Sequence, residues 1–394
     1  MDSFDAIVIG AGAAGLMCAM TAGQRGRRVL LLDQSREIGA KILISGGGRC
    51  NFTNLGVAPD RFLSANPHFC KSALAQYRQT DFIALVEKHG IAYHEKTLGQ
   101  LFCDGSARQI VEMLLAECTA AGVDIRTGHR ITDISRSTDF DIATDIGDFT
   151  AASVVLATGG LSIPKLGATG FAYDMAQRFG LSLVEPRPGL VPLKVTDGAF
   201  GDFAALAGLS VEAIVNRNRQ RFRENILFTH RGLSGPAILQ ISSYWQPGDT
   251  LGIDLAPDLD AATWLKDRKR GRPKAETATI LAEILPARLA AAMVDNGFPD
   301  LRGKPVAEAT DRSLGLLAER LQHWTIQPKS SEGWAKAEVT CGGVDTACLN
   351  SATMAARDVP GLHVIGEAVD VTGWLGGYNF QWAWSSGWCA GQAV

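Results

Sequence analysis

The sequence lacks the features of exported and membrane proteins. None of its eight cysteines forms a C-x-x-C pair, which predicts free thiols in a reducing cytosol rather than a disulfide or zinc framework. No apolar run reaches the roughly 18 residues that a membrane-spanning helix requires. There is no basic N-terminal stretch, and the first predicted strand already begins at Phe4, so cleavage of a signal peptide would destroy the fold. We therefore expect a cytoplasmic protein.

The chain also lacks a strong charge bias, internal repeats and low-complexity tracts. Its net charge of −3 gives no overall sign of nucleic-acid binding. Hydrophobic residues make up 46% and charged residues 20%, which is typical of a globular enzyme. A length of 394 residues allows two domains, or one large domain with insertions. The 43 glycines exceed an average composition and cluster in predicted loops, which favours a nucleotide-binding protein.

A glycine-rich turn near the N-terminus organises the chain. Residues 4–9 form a predicted strand, and Gly10, Gly12 and Gly15 follow it in the spacing G-x-G-x-x-G before a predicted helix. Gly10 permits the tight turn, Gly12 lets backbone N–H groups approach a pyrophosphate, and Gly15 lets the helix pack closely on the sheet. The flanking strand and helix make the signal stronger than the glycines alone, which an ordinary strand–helix junction can also contain.

An acidic residue completes the dinucleotide pattern. Asp33 ends a second predicted strand, 28–32, where a carboxylate can accept hydrogen bonds from a ribose diol. The pyrophosphate would lie at the positive end of the helix that begins near Ala13. Asp33 argues against a 2′-phosphate on the ribose. The pattern by itself leaves FAD and NAD open.

Two further glycine-rich segments follow. Residues 39–54 contain three consecutive glycines, 46–48, and then Arg49 and Cys50. This segment is either a cradle whose N–H groups and side chains hold the rest of a cofactor, or a flexible surface loop. Residues 154–160 are predicted as a buried parallel strand that ends in an Ala-Thr-Gly-Gly turn, and α/β folds bind ligands at such strand ends.

The character of the sequence changes near Pro186. Three prolines, at 186, 188 and 192, mark a predicted boundary. Residues 190–256 contain short strand-like runs, whereas residues 257–325 are helix-like and interrupted by prolines. We interpret the two parts as an insertion.

The insertion carries two basic clusters. Four arginines alternate along one segment, so a single strand would place all of them on one face: Arg217, Arg219, Arg221 and Arg223. The segment Lys266–Lys274 holds six positive charges against one negative charge. Each cluster is either solvated surface or a contact for phosphates.

His230 lies in a polar loop, 227–236, that contains two glycines and precedes an apolar helix. This loop is either an active-site lid or a structural helix cap. The sequence leaves both interpretations open.

The C-terminal part contains a second glycine–helix junction. Residues 361–367 form a predicted strand ending in Gly-Glu, and Gly376 and Gly377 open the predicted helix 380–393. The dipole of that helix would favour the negative charge that develops on a reduced flavin ring. A plain nicotinamide dehydrogenase does not need this junction, so it favours FAD over NAD.

Three segments resemble the YhiN/BaiN family of flavoproteins, and the similarity runs essentially from end to end. These segments are 41–54, 228–236 and 370–386, and the chain is most similar to the YhiN branch. The resemblance implies an α/β fold with a Rossmann-like FAD-binding domain of the glutathione-reductase type. It implies that 1–188 and 337–394 form this domain, with an inserted β-barrel-like, β-rich subdomain at 189–256 and a helical subdomain and return at 257–336.

The resemblance also implies which residues bind FAD. The ADP half would be held by Gly10, Gly12, Ala13, Ala14, Gly15 and Asp33. The middle of the cofactor and its flank would be lined by Lys41, Gly47, Gly48, Arg49, Asn51, Thr53, Thr158 and Gly159. The ribityl chain and ring would be reached by Gly366, Glu367, Gly376, Gly377, Tyr378 and Asn379. Cys341 departs from the expected pattern before Gly342 and Gly343.

Family members reduce activated C=C bonds by hydride transfer from flavin N5. The YhiN branch is associated with reducing a uridine of 23S ribosomal RNA to dihydrouridine, and the BaiN branch with steroid-type enones. The resemblance thus implies an FAD-dependent oxidoreductase, with NAD(P)H or another reductant as electron donor and large-subunit ribosomal RNA as partner through the two basic clusters. Candidate proton donors are Cys50, Cys103 and His230.

Two alternatives stay open at this point. The chain could reduce a small-molecule enone with the same flavin, in which case both basic clusters are solvated surface. It could also be a flavin-bound ribosome assembly factor without turnover. No second G-x-G-x-x-G is present for a nicotinamide, so the sequence does not decide where a reductant binds.

Overall fold

The computed structural model describes residues 2–195 and 203–394. The chain divides into two compact units, one formed by Met1–Pro188 with Val339–Val394 and the other by Gly189–Glu338. The second unit is therefore an insertion into the first along the sequence. The predicted assignment of 1–188 and 337–394 to FAD binding, and the division of the insertion at 256, stay predictions.

The described residues up to the insertion form eleven strands and six α-helices. The strands are β1 (Asp2–Ile9), β2 (Val29–Asp33), β3 (Asn51–Asn54), β4 (Phe62–Leu63), β5 (Tyr93–Glu95), β6 (Gln100–Cys103), β7 (Asp124–Thr127), β8 (Ile131–Arg136), β9 (Phe140–Thr144), β10 (Gly147–Leu156) and β11 (Leu183–Gly189). The helices are α1 (Ala13–Gln24), α2 (Ala40–Ile44), α3 (Cys70–Gln76), α4 (Gln79–Lys88), α5 (Arg108–Ala120) and α6 (Phe171–Arg178).

The described part of the insertion holds β12 (Leu193–Lys194), β13 (Ser210–Arg217), β14 (Gln220–Thr229), β15 (Gly232–Ser234), β16 (Leu251–Asp254), β17 (Trp324–Ile326) and β18 (Ser330–Ser331). Its helices are α7 (Phe203–Leu206), α8 (Pro236–Ser242), α9 (Ala261–Gly271), α10 (Thr277–Leu281), α11 (Ala287–Gly297) and α12 (Asp311–Gln322). The chain then returns to the first unit with β19 (Val339–Val344), β20 (Leu362–Val364), β21 (Thr372–Gly373) and α13 (Tyr378–Ala393).

The core of the first unit is a mainly parallel sheet. Strands β7, β2, β1 and β10 lie in this order, β20 pairs with β10, and all these pairings are parallel. Strands β9 and β8 extend the sheet in antiparallel fashion. Ile7 lies between Leu30 of β2 and Val154 of β10, and all three side chains are completely buried. Parallel sheets are covered on both faces, which is why these strands are continuous apolar runs in the sequence.

Helices α1 and α13 pack closely because glycines face the contact. A Cβ atom at Gly387 would lie 2.4 Å from the carbonyl oxygen of Ala14, and one at Gly391 would lie 2.7 Å from that of Cys18. Side chains of any size would push the helices apart. The C-terminal helix is therefore fixed against the helix that follows the first glycine turn.

The segment 39–54, predicted as a loop, contains short regular elements instead. It forms α2, a 3-10 turn over Ser45–Gly48 and the strand β3. Ile42 and Phe52 are completely buried, and their burial anchors the segment to the core. Strand β3 joins β6 and β5 in a three-stranded sheet, and β21 pairs with β4.

The second unit is built around one sheet in the order β17, β16, β13, β14, β15, β12, β18. The pairings described for it are antiparallel. Strands β17 and β18 come from the part predicted to be helical, 257–336, because the chain returns to the sheet after α12.

The prediction that four alternating arginines share one strand face is wrong. The chain reverses at Asn218, whose φ of +53° fits a tight hairpin turn, and Arg217 pairs with Gln220 on the other strand. Arg221 and Arg223 share one face of β14, whereas Arg217 lies on the opposite face of the hairpin, with Val215 and Phe222. Sequence alternation alone does not reveal that a turn lies between the first and the third of these arginines.

In the described residues, none of the helices is both long enough and apolar enough to span a membrane.

Candidate functional site

The first glycine turn has the shape that the sequence predicts. Gly10 has a φ of +110°, and a Cβ there would lie 2.5 Å from the carbonyl oxygen of Ala157. A Cβ at Gly15 would lie 1.8 Å from the carbonyl oxygen of Gly10, so only glycine lets α1 start this close to the sheet. Nothing lies within 4 Å of the corresponding position at Gly12. A side chain at position 12 would project into open space beside the start of α1, and glycine leaves that space free.

Asp33 fixes this turn from the end of β2. Its Oδ2 accepts a hydrogen bond from the N–H of Ala11 at 2.7 Å, and its Oδ1 accepts one from the N–H of Ser35 at 2.7 Å. Burial raises the pKa of the Asp33 carboxyl, although both N–H groups act to lower it. Each carboxylate oxygen can still accept a second hydrogen bond. Its predicted contact with a ribose stays a prediction.

The turn after β10 lies beside the first glycine turn and contains an unsatisfied hydroxyl. The Oγ1 atom of Thr158 is buried and has no hydrogen-bond partner among the described residues. Gly159 has a φ of +75°, and nothing lies within 4 Å of the position that its Cβ would take. Buried hydroxyls in proteins are normally hydrogen-bonded. The orphaned Thr158 hydroxyl therefore fits a site that receives a polar ligand.

A mostly buried network of hydrogen bonds adjoins the turn after β10. The ammonium of Lys41 donates to the Glu367 carboxylate and, at 2.6 Å, to the hydroxyl of Ser162. Ser162 in turn donates to Oε1 of Glu367 at 2.6 Å, and the same oxygen accepts the N–H of Thr340 at 2.8 Å. Burial alone would raise the pKa of Glu367, but the charge and hydrogen bond of Lys41, with the hydrogen bonds from Ser162 and Thr340, together outweigh it and hold that pKa below its usual range. Glu367 is therefore an anion at neutral pH.

The network and the glycine turns meet at one edge of the sheet. Lys41 follows Gly39, whose N–H donates to the carbonyl oxygen of Ala11 at 3.0 Å. A Cβ at Gly366 would lie 2.9 Å from the Cβ of Ala14 at the start of α1. Residues far apart in sequence thus converge at the carboxyl ends of β1 and β10, where parallel α/β sheets bind their ligands.

The three glycines before Arg49 form a second open surface. Gly46, Gly47 and Gly48 all have positive φ angles, between 57° and 86°. Nothing lies within 4 Å of the Cβ positions of Gly47 and Gly48. The side chain of Arg49 is exposed. Successive N–H groups in such a conformation can turn toward an anion or a carbonyl group, so this segment suits a cofactor's central part.

Several predicted cofactor residues near α13 have structural partners. Thr53 is completely buried, and its hydroxyl donates to Gln381 at 2.7 Å. The amide of Asn379 donates to the carbonyl oxygens of Gly373 and Trp374 and accepts the N–H of Gly373. Thr53 therefore joins β3 to α13, and Asn379 shapes the loop before that helix. Their predicted contact with a ring stays a prediction.

The glycines at the start of α13 are set by close packing. A Cβ at Gly377 would lie 2.4 Å from the carbonyl oxygen of Thr53, and one at Gly376 would lie 2.9 Å from the side chain of Gln100. Tyr378 is buried, and its hydroxyl accepts a hydrogen bond from Arg61 at 2.5 Å. Asn51, on the same strand as Thr53, is half-buried.

The two candidate cysteines are inaccessible. Cys50 and Cys103 are both completely buried, and the N–H of Cys103 donates to the carbonyl oxygen of Arg49 at 3.0 Å. Burial raises the pKa of Cys50 to about 12 and that of Cys103 to about 11. A buried thiol with no exposed surface has no route to a substrate, which disfavours both as proton donors. Cys341 is also buried.

The remaining predicted residues lie in the second unit. His230 is exposed in the turn between β14 and β15. The basic segment Lys266–Lys274 covers the second half of α9 and the three residues after it, and it is partly neutralised, since Arg268 and Arg272 both bind Glu283. Arg223 binds Glu212 and Asp258. The roles predicted for His230 and for both clusters stay predictions.

Sequence patterns missed two members of the network. Ser162 and Thr340 lie 205 and 27 residues from Glu367, and neither belongs to a recognisable spacing. Only folding brings them together, so a single sequence offers no signal for them.

Fold and site together define a Rossmann-type α/β protein with the glycine architecture of a dinucleotide-binding oxidoreductase. The family described as "HI0933-like protein Rossmann domain" matches residues 4–393, and the chain belongs to it. The family resemblance, the α/β fold class and the oxidoreductase class predicted from the sequence are all confirmed.

Two relatives and one solved structure illustrate this placement. The Escherichia coli (strain K12) protein named "Ribosomal RNA dihydrouridine synthase" is 52% identical over 397 residues, covering 100% of this chain and 98% of that protein. The Clostridium scindens protein named "3-dehydro-bile acid delta(4,6)-reductase" is 31% identical over 410 residues, covering 98% of each. A 3-ketosteroid-delta4-(5alpha)-dehydrogenase from Rhodococcus jostii RHA1 superimposes with a TM-score of 0.50 at 14% identity, covering 99% of this chain and 97% of that one. The last likeness concerns the fold.

Proposed function

We propose that this chain binds FAD and reduces a uridine of 23S ribosomal RNA to dihydrouridine in the cytoplasm. The observation that carries the proposal is the 52% identity, along the whole chain, to a ribosomal RNA dihydrouridine synthase. The site geometry supports it, because it offers the turn, the open surfaces and the orphaned hydroxyl that a dinucleotide needs.

The ADP half of FAD would be held by the first glycine turn. Open space at Gly12 leaves room for a pyrophosphate, and the N–H groups of Ala13 and Ala14, in the first turn of α1, have no partners within the helix. Asp33 retains lone pairs for the ribose hydroxyls. Gly159 and the hydroxyl of Thr158 would complete the binding site for the ADP half.

The middle of FAD and its flavin ring would lie along the segment after α2 and the start of α13. Gly47, Gly48 and Arg49 offer N–H groups and a guanidinium there. Lys41, fixed by Glu367, adds a second cation. When bound and reduced, the flavin would supply a hydride for the C5=C6 double bond of uracil. The chain's own task is to orient the base, exclude water and deliver one proton to the adjacent carbon.

The proton donor and the reductant belong to the proposal as well. Cys50, Cys103 and His230 are the candidate donors, of which only His230 is exposed. NAD(P)H is the proposed source of electrons, bound transiently, because the sequence has a single dinucleotide fingerprint.

Ribosomal RNA is the proposed partner. Enzymes that act on a base need it unstacked and held in a pocket, so the substrate would be RNA before or during ribosome assembly. The face of β14 with Arg221 and Arg223, and the segment Lys266–Lys274, would contact phosphates.

A nucleoside analysis of 23S ribosomal RNA tests the proposal. RNA from a deletion strain should lack one dihydrouridine that wild-type RNA contains, and mass spectrometry of digested RNA measures it. The wild-type gene should restore the nucleoside, whereas a Gly12→Asp version, with a carboxylate at the pyrophosphate position, should not. Unchanged dihydrouridine in the deletion strain would refute the ribosomal RNA substrate.

A small-molecule substrate is the second candidate, favoured by the 31% identity to a bile acid reductase. It requires the same flavin but no RNA contact. Reduced enzyme would then be reoxidised by steroid-type enones, and replacing Arg221 by Glu would leave that rate unchanged. The third alternative, an assembly factor without turnover, is disfavoured because the relatives are named as enzymes.

A further inference from the structure

Two exposed leucines lie together beside the loop that precedes α13. The side chain of Leu98 is 63% exposed and that of Leu55 is 47% exposed. The N–H of Leu55 donates to the carbonyl oxygen of Gly99 at 2.8 Å, so the two segments are joined. A large apolar side chain with such exposure forgoes the favourable free energy of burial. Two of them next to each other are therefore a sign of a contact surface.

The backbone at Leu98 is strained. Its φ of +59° and ψ of +32° lie in the left-handed region, which costs a residue with a Cβ roughly 1–2 kcal/mol. The other described non-glycine residues with positive φ are Cys50, Ile163, Leu190, Asn218 and Met354, and none of them combines an apolar side chain with exposure above one third. The strained backbone does not help Leu98 to pack, because its side chain is exposed. Such strain indicates that the exposed position of the side chain has a function.

A rigid framework holds this conformation and ties it to the candidate site. The amide of Asn54 donates to the carbonyl oxygens of Leu98, at 3.1 Å, and Gly376, at 2.8 Å. The N–H of Lys96 donates to the carbonyl oxygen of Gln100 at 2.8 Å, which closes the loop from the other side. One side chain thus couples the exposed leucine loop to the glycines that open α13.

Two cationic side chains and an indole adjoin the segments that carry the leucines. The guanidinium of Arg61 lies 5.4 Å from the ring centre of Trp374, next to Gly56, whose Cβ position is 2.4 Å from its Nη1 atom. Lys96 is exposed and lies 5.2 Å from the ring centre of Phe102. Positive charge beside exposed apolar side chains and a half-buried indole is chemistry that proteins use on RNA with unstacked bases.

We propose that Leu98 and Leu55 form a wedge that enters the base stack next to the target nucleotide and keeps it out of the stack, with Arg61 and Lys96 against the neighbouring phosphates. The proposal rests on the proposed RNA substrate. Apolar side chains that separate bases are an established way of distorting nucleic acids, and extruding a base costs free energy that such a contact offsets.

The test compares two RNAs and matched variants of the FAD-loaded enzyme. One RNA is a 23S stem-loop that carries the mapped uridine, and the other is an unstructured oligonucleotide with the same nearest neighbours. Leu98→Asn keeps a residue that tolerates positive φ but removes the apolar wedge. Ile146→Asn is the control, since Ile146 is 65% exposed in the β9–β10 turn of the same unit. Leu98→Met retains an apolar side chain.

Leu98→Asn should lower kcat/KM on the stem-loop about tenfold and on the oligonucleotide about twofold or less, because only the stem-loop must be unstacked. Ile146→Asn and Leu98→Met should stay near wild type on both. With 2-aminopurine beside the uridine, binding of wild-type enzyme should raise its fluorescence, and Leu98→Asn should abolish that rise.

Other outcomes overturn the wedge in distinguishable ways. Equal losses on both RNAs, or a loss for Ile146→Asn as large as for Leu98→Asn, would reject it while leaving the proposed function intact. A change in oligomeric state of Leu98→Asn in solution would assign the leucines to contact between copies of this chain. Absence of dihydrouridine with wild-type enzyme on both RNAs would reject the proposed function, and the wedge with it.

Discussion

The hydroxyl of Ser162 donates to the Glu367 carboxylate across 2.6 Å, although 205 residues separate them. Ser162 follows the turn after β10, and Glu367 follows β20, so the bond joins the ends of two neighbouring parallel strands. Lys41 binds both residues. The network therefore fixes the turn that carries Thr158 against the segment that follows β20.

Glu367→Gln should destabilise the protein. It removes one partner of an ion pair whose carboxylate is largely buried, and it leaves the Lys41 ammonium, about one third exposed, with a neutral neighbour. We expect a loss of about 2 kcal/mol in the free energy of unfolding, measured by urea denaturation. The control is Glu212→Gln, whose exposed pair with Arg223 should contribute less than about 0.5 kcal/mol. Equal losses in the two variants would contradict this account.

The same network predicts a pH dependence. The pKa of Glu367 in the folded protein lies below its ordinary value of 4.5, so the network contributes fully above that value and is lost as pH falls through the lower, folded pKa. The difference in unfolding free energy between wild type and Glu367→Gln should thus shrink as the pH falls from about 6 to about 3. A difference that grows toward low pH would contradict a lowered pKa of Glu367 in the folded protein.

Alanine substitutions should distinguish Gly15, which is required for close packing, from Gly12, which is proposed to make room for the cofactor. Gly15→Ala places a methyl group against the Gly10 carbonyl and should lower stability by about 3 kcal/mol or more, as measured by thermal unfolding. Gly12→Ala meets nothing within 4 Å and has a φ of −85°, so its stability should match wild type. Its FAD content after purification should nevertheless fall, because the methyl group enters the space proposed for pyrophosphate. Full FAD content in Gly12→Ala would place the pyrophosphate elsewhere.

Thiol labelling should find most cysteines protected. Seven of the eight free cysteines are buried, and Cys348 alone is half-buried. Burial raises the pKa of Cys50 to about 12, which leaves no reactive thiolate at neutral pH. The native protein should therefore react with at most one equivalent of a thiol reagent, and none after Cys348→Ser, whereas denatured wild type should react with eight. Rapid labelling of Cys50 or Cys103 in the native protein would restore them as candidate proton donors.

The two arginines on opposite faces of the β13–β14 hairpin should differ in their effect on RNA binding. Arg221→Ala should reduce the slope of log affinity against log salt by about 0.7–0.9, the value of one phosphate contact. Arg217→Ala should leave the slope unchanged, because Arg217 lies on the other face and binds Asp249 at 2.6 Å. Filter binding across a salt series measures both. Equal slopes for Arg221→Ala and wild type would remove this face from the RNA contact.

Features whose residues lie close together along the chain could be predicted from the sequence. The strand, the G-x-G-x-x-G turn and Asp33 lie within 33 residues and could be identified because each has a fixed place in the unit. The Lys41–Glu367 pair spans 326 residues, and only the fold shows that the two meet. The hairpin turn at Asn218 was missed because alternating arginines match a strand as well as a turn. The strain at Leu98 has no sequence signature.

The parallel sheet of the first unit is assembled from segments on both sides of the insertion. Strand β20 pairs with β10, and α13 packs on α1, only after the chain has passed through Gly189–Glu338. During synthesis on the ribosome, the C-terminal part of β10, residues 154–156, must stay unpaired on one side while the whole inserted unit emerges, because β9 covers only residues 147–151. Acquisition of cofactor should therefore be a late event in the life of the nascent chain, and the exposed edge of β10 is where chaperones would be most needed.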